Sequence, residues 1–126
     1  MKNLKTEYEK YKAWGLVASI DLHDCDSLTI KNPKKIKALI VGLCNKIKMK
    51  RYKEPMIERF AEGALEGYSA IQFIETSSVT MHFDEVENRA FIDVFSCKYF
   101  NPTEAENFCK KFLGASKAKT RYYLRA

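Results

Sequence analysis

The feature that most constrains this chain is a succession of three β-type runs between Tyr68 and Cys97. Tyr68 to Ile74 and Val79 to Phe83 are the first two. The third, Ala90 to Cys97, puts Phe91, Asp93, Phe95 and Cys97 on one side and Ala90, Ile92, Val94 and Ser96 on the other. Successive side chains of a strand point to opposite faces, so this alternation describes a strand between two different environments. A fourth run lies earlier, where Leu16, Ala18, Ile20 and Leu22 alternate with Val17, Ser19, Asp21 and His23. Thr120 to Leu124 can close the sheet, and residues 50–62 leave room for one more short strand.

Two helices are written with the same device. Asn32-Pro33 precedes apolar residues at Ile36, Leu39, Ile40, Leu43 and Ile47, a helical spacing with Asn as N-cap and Pro at the first helical position. Asn101-Pro102 does the same before Ala105, Phe108, Cys109 and Phe112. There Glu104 stands three residues after the cap, as in a capping box, and Gly114 suits the C-terminal stop. A helix over residues 3–13 is also expected, with Leu4, Tyr8 and Tyr11 on one side. The order strand, helix, several strands, helix, strand predicts an α+β fold. Its form is a two-layer α/β sandwich, a mostly antiparallel sheet with two helices on one face and the other face free for a site or a dimer contact. Residues 1–126 are expected to make a single domain.

Composition narrows the function classes. At 46% hydrophobic and 30% charged residues the chain suits a soluble globular protein with a real core. No stretch approaches ~18 consecutive apolar residues, so no membrane span is expected. The polar start, Met1-Lys2-Asn3-Leu4-Lys5, predicts a cytoplasmic location. Cys25, Cys44, Cys97 and Cys109 form no Cys-x-x-Cys pair, and the histidines are only His23 and His82. No metal site is therefore expected, and three of the thiols read as small buried hydrophobes. The net charge of +6 comes mostly from lysines at Lys2 to Lys53 and Lys110 to Lys119, read as solvated surface. Arg89 to Phe95 faintly resembles an RNA-binding strand. However, Asp93 between its two phenylalanines would repel phosphate, so nucleic acid is not the expected partner.

The chemistry concentrates in Gly67 to Cys97, which reads GYSAIQFIETSSVTMHFDEVENRAFIDVFSC. Gly67, Ser69, Ser77, Thr80, His82, Asp93, Val94, Phe95 and Cys97 fall without a gap in a pattern that resembles the small prokaryotic and phage S-adenosylmethionine decarboxylases. Asp21-Leu22-His23-Asp24-Cys25 resembles that family's Asp-Leu-Tyr-Gly-Cys segment, and the resemblance runs over residues 14–113. It implies a pyruvoyl group derived from Ser77 by self-cleavage between Thr76 and Ser77. Ser77 Oγ would attack the Thr76 carbonyl, with His82 as the base for the Ser77 α-proton and Ser69 as a hydrogen-bond helper. The ketone would then capture the amine of S-adenosylmethionine and act as electron sink, with Cys97 returning a proton after CO₂ leaves. Phe60 is the expected partner of the adenine and sulfonium, beside Thr80 and, for the ribose, Glu85 or Glu87. A role in polyamine (spermidine) biosynthesis and a homodimer with sites near its interface are implied with the rest.

The chain also departs from the pattern. Thr76 stands where the family has Glu, Ser78 where it has His, and Phe83-Asp84-Glu85 where it has Trp-Pro-Glu. Two other readings stay open beside the first. One is a sister decarboxylase acting on ornithine or arginine. The other is an uncleaved relative that binds S-adenosylmethionine or cleaves it by another route, as a lyase or a sensor. By strand alternation Ser78 shares the face of Thr80 and His82, so Ser77 joins them only if the chain turns there.

Overall fold

Among the described residues, six strands pair into one sheet: β1 (Gly15–His23), β2 (Met56–Phe60), β3 (Gly67–Ile74), β4 (Ser77–Asp84), β5 (Arg89–Ser96) and β6 (Lys117–Arg125). Across the sheet they lie in the order β2-β3-β4-β5-β1-β6, and every neighbouring pair is antiparallel. The computed structural model describes residues 3–126. Its helices are α1 (Leu4–Lys10), α2 (Ser27–Ile30), α3 (Pro33–Lys46) and α4 (Pro102–Leu113), with a 3₁₀ turn at Gly63–Leu65. This is the α+β architecture that the strand and helix order predicts.

The two Asn-Pro signals work as capping chemistry requires. Asn32 Oδ1 accepts from the Lys34 and Lys35 amides at 3.0 and 3.3 Å, and Pro33 opens α3. Asn101 Oδ1 accepts from the Thr103 and Glu104 amides at 2.9 and 3.4 Å. Each cap satisfies backbone donors that the first helical turn leaves without partners. Gly114 ends α4 at φ 63°, a left-handed conformation that glycine adopts without steric cost.

The core lies between the sheet and these helices. α3 lies over β2 and β3 and buries Ile36, Leu39, Ile40 and Leu43 in one core with buried residues of β3, β4 and β5 and with the row Leu16, Ala18, Ile20 and Leu22 of β1, which α4 covers. Burying each leucine or isoleucine contributes about 1.5–3 kcal/mol. α4 buries Ala105, Cys109 and Leu113, while Phe108 and Phe112 of its expected apolar stripe stay half-buried, ring to ring at 6.0 Å.

The structure differs from the sequence expectation at the edges. β6 runs from Lys117 rather than Thr120, because β1 offers pairing partners along its whole length. The open segment within residues 50–62 supplies β2, an exposed edge strand. The N-terminal helix stops at Lys10, and Tyr11 is exposed while Leu4 and Tyr8 pack on the core. α2 is additional to the helices that the sequence predicts; Asp26 caps it through the Thr29 amide and hydroxyl at 2.9 and 2.7 Å. The sheet face away from α3 and α4 carries Met56, Phe60, Phe73, Phe91, Phe95 and Tyr123 in neighbouring strands. Among the described residues no helix is long and apolar enough to cross a membrane.

Candidate active site

The sequence-predicted residues separate into two groups at opposite ends of β4. At one end, the β3–β4 register sets Ser69 directly opposite His82, both on the open face, and Ser69 Oγ lies 2.9 Å from His82 Nδ1. Phe60 and Thr80 line the same cavity of about 240 Å³, with Met56 and Ile71 as apolar wall. Four of the expected site residues are thus brought together. The strand β3 can start this close to β4 only because residue 67 has no side chain. A Cβ on Gly67 would fall 2.1 Å from the Phe83 carbonyl oxygen.

Glu85 does not line that cavity. It sits after β4, and its carboxylate accepts two hydrogen bonds from Arg59, at 2.6 and 2.7 Å. Arg59 donates as well to Glu66, at 2.6 and 2.9 Å, and lies over the Tyr68 ring. The hydrogen bonds to Glu85 first, and then to Glu66, hold the guanidinium pKa above its ordinary value. Glu87 pairs with Arg89 at 2.9 Å. Both candidate ribose carboxylates therefore already have cationic partners.

At the other end of β4 the chain reverses through Glu75 and Thr76. The Thr76 carbonyl accepts the Cys97 amide at 2.8 Å. Thr76 Oγ1 stands 2.9 Å from the hydroxyl of Ser96, which is fully buried, and 3.4 Å from Met49 Sδ. Cys97 is exposed, just past the end of β5, and its carbonyl accepts from the Tyr8 hydroxyl at 3.0 Å. Burial, and then the neighbouring Cys97, raise the Tyr8 phenol. The other three thiols, Cys25, Cys44 and Cys109, are buried, and desolvation pushes them up to about 11, 11 and 12.

Ser77 begins β4 in register with Ile74 and Ser96. The turn comes before it, so Ser77 falls in the alternation of Val79, Met81 and Phe83, not that of Thr80 and His82. His82 is five steps along the strand from Ser77, about 17 Å at ~3.4 Å per residue. One chain therefore joins Thr76, Ser77 and Cys97 at one end, and Phe60, Ser69, Thr80 and His82 at the other. It does not join the two sets. Among the described residues no three His, Cys, Asp or Glu side chains are placed to hold a metal ion.

Sequence reading did not single out Arg59, Tyr8, Ser96 or Met49. Ser96 carried a signal: it is a hydroxyl in the apolar row Ala90, Ile92 and Val94, and a buried polar group needs partners. The others carried none.

Comparisons with known proteins converge. A family model described as S-adenosylmethionine decarboxylase matches residues 17–126. S-adenosylmethionine decarboxylase proenzymes of Saccharolobus islandicus, from strains L.S.2.15 and M.16.27, are each 30% identical over 102 residues, covering 76% of this chain and 75% of the relative. The fold is similar to the crystal structure of the adenosylmethionine decarboxylase from Aquifex aeolicus VF5, with a TM-score of 0.76. That likeness covers 90% of this chain and 92% of the other at 18% identity, and it speaks for the fold alone.

Proposed function

Because the chain belongs to the S-adenosylmethionine decarboxylase family, we propose that it is a self-processing, pyruvoyl-dependent decarboxylase of S-adenosylmethionine that serves polyamine synthesis. The observation that carries this reading is the 2.8 Å hydrogen bond from the Cys97 amide to the Thr76 carbonyl. A fixed backbone donor on that oxygen stabilises the negative charge that develops when a nucleophile adds to the carbon.

The nucleophile is the hydroxyl of the next residue. Addition of Ser77 Oγ to the Thr76 carbonyl breaks the Thr76–Ser77 amide bond and leaves an ester and a free amine. Removal of the Ser77 α-proton then expels the Thr76 carboxylate. Tautomerisation and hydrolysis release ammonia and leave a ketone at residue 77. The residues present fit such a group: the preceding carbonyl is already hydrogen-bonded, and strand pairing to Ile74 and Ser96 holds residue 77 itself. When formed, a pyruvoyl group supplies an electron sink for the carbanion left by CO₂. Cys97 offers the accessible thiol beside it for proton return.

The imidazole comes from a second copy. His82 lies too far along β4 to serve Ser77 of its own chain. The helix-free face presents Met56, Phe60 and Phe73 more than half exposed, as a surface covered by a partner would. In the dimer, the Ser69–His82 pair of one chain attends the Thr76–Ser77 corner of the other, and Phe60 and Thr80 contact the substrate.

One observation favours the sister reading. Glu85 is already paired with Arg59 and lies outside the cavity that Ser69 and His82 line, so its carboxylate is not aimed at a ribose there. Intact-mass spectrometry of the purified protein, followed by CO₂ release from carboxyl-labelled substrates, tests all of this. The expected result is two fragments divided between Thr76 and Ser77, the second with a blocked N-terminus, and CO₂ from S-adenosylmethionine. CO₂ from ornithine or arginine instead would replace the substrate assignment. A single 14.6 kDa species that persists on long incubation would overturn self-processing and favour an uncleaved binder or lyase.

A further inference from the structure

We infer that Ser96 is a positioning residue for cleavage of the Thr76–Ser77 bond, acting through the Thr76 hydroxyl. This rests on the self-processing reading above. Ser96 is fully buried in a row of apolar side chains, where an unpaired hydroxyl is unfavourable. Its partners account for it. The Lys98 amide donates to Ser96 Oγ at 3.0 Å, Thr76 Oγ1 lies at 2.9 Å, and Met49 Sδ at 3.6 Å. Thr76 Oγ1 also reaches Met49 Sδ at 3.4 Å. The two hydroxyls and the thioether form one closed set in which either hydroxyl can donate to the other while its neighbour turns to sulfur.

Residue 76 is thereby held twice from the end of β5. Its carbonyl is fixed by the Cys97 amide and its side chain by the adjacent Ser96 hydroxyl. A single hydrogen bond on the carbonyl leaves the peptide plane free to rock about the O···N line. The second attachment, on the side chain of the same residue, removes that freedom. The carbonyl carbon is then presented to the Ser77 hydroxyl in a fixed orientation. An attack trajectory needs such constraint, because a misplacement of about 1 Å can cost 10²-fold in rate.

The test follows fragment formation over time by intact mass in four single variants and one double variant, Ser96→Ala with Thr76→Val. Ser96→Ala and Thr76→Val each remove one hydroxyl, while Ser96→Thr and Thr76→Ser each keep it. Loss of either hydroxyl is expected to slow cleavage about 10- to 100-fold, with the double variant no slower than the slower single one, since both break the same link. The conservative variants are expected to cleave within about threefold of the parent, a rescue that mere cavity formation does not give. Thr76→Val lies in the hairpin turn and changes almost no volume, so it reads the effect even if Ser96→Ala folds poorly. Parent cleavage with unchanged rates in Thr76→Val, or slowing that the conservative variants share, overturns the inference. Absence of cleavage in the parent overturns the underlying reading and this one with it.

Discussion

Ser69 and His82 face each other across the β3–β4 ladder with their side chains 2.9 Å apart, at the far end of β4 from the Thr76–Ser77 bond. Strands β3 and β4 thus carry an imidazole–hydroxyl pair at one end and Ser77, the proposed nucleophile, at the other. Two copies stacked by their open faces, with a two-fold axis running across the strands, would lay each end over its opposite. Such an isologous contact makes two equivalent composite sites.

Complementation between inactive chains follows from that arrangement. His82→Ala and Ser77→Ala should each remain intact alone. Mixed and allowed to exchange subunits, the His82→Ala chain should be cut at Thr76–Ser77, because its partner supplies the imidazole. Mass spectrometry of the mixture checks this, and no cleavage after verified exchange would place both groups in one chain's site.

Maturation and turnover should come apart at residue 97. The group on the Thr76 carbonyl is the Cys97 backbone amide, which survives any substitution except proline. Cys97→Ala should therefore process within a few-fold of the parent. Its CO₂ release from S-adenosylmethionine should fall by about 10²-fold or more through loss of the acid. Equal loss of both activities would contradict the division.

The thiols should divide by accessibility. Of four cysteines only Cys97 is exposed, so a thiol reagent should titrate one group in the native protein and the rest on unfolding. Cys25 and Cys44 have native pKa values raised to about 11 from 9.0, so folding holds their protons where the unfolded chain releases them. Their contribution is complete below pH 9 and is lost as pH rises towards 11, by about 1.4 kcal/mol per pH unit for each thiol. Denaturant midpoints measured between pH 8 and 11 should fall accordingly, and Cys44→Ala should flatten the fall.

Gly67→Ala should be costly although alanine favours most backbones. The added methyl meets the Phe83 carbonyl oxygen at 2.1 Å, so β3 must move away from β4. A loss of about 1–3 kcal/mol is expected from overpacking. The thermal midpoint reads it, and slower processing should accompany it if the Ser69–His82 pairing is disturbed.

Much of the fold was legible because its signals are local. Asn32-Pro33 and Asn101-Pro102 fix helix starts through their own side chains, and the alternation in Ala90 to Ser96 reports the two sheet faces directly. β2 was harder, since Met56 to Phe60 is an exposed edge with no buried row to mark it. The candidate site was legible as residue types in register, but not as distances. Whether Ser77 meets His82 depends on where the hairpin turns, and the turn at Glu75–Thr76 is one residue too early for Ser77 to share the histidine's face. Arg59 gave no warning, because its partners Glu66 and Glu85 come from separate segments that only the sheet brings together.

The strand order has a consequence for what a nick at the β3–β4 corner would leave behind. The segment before the cut contributes β1, β2 and β3, and the segment after it β4, β5 and β6. Because β1 lies between β5 and β6, the two pieces would be laced into each other along three separate ladders. Scission would then change the covalent connectivity without loosening the particle, and only a denaturant would tell the mature form from its precursor by size.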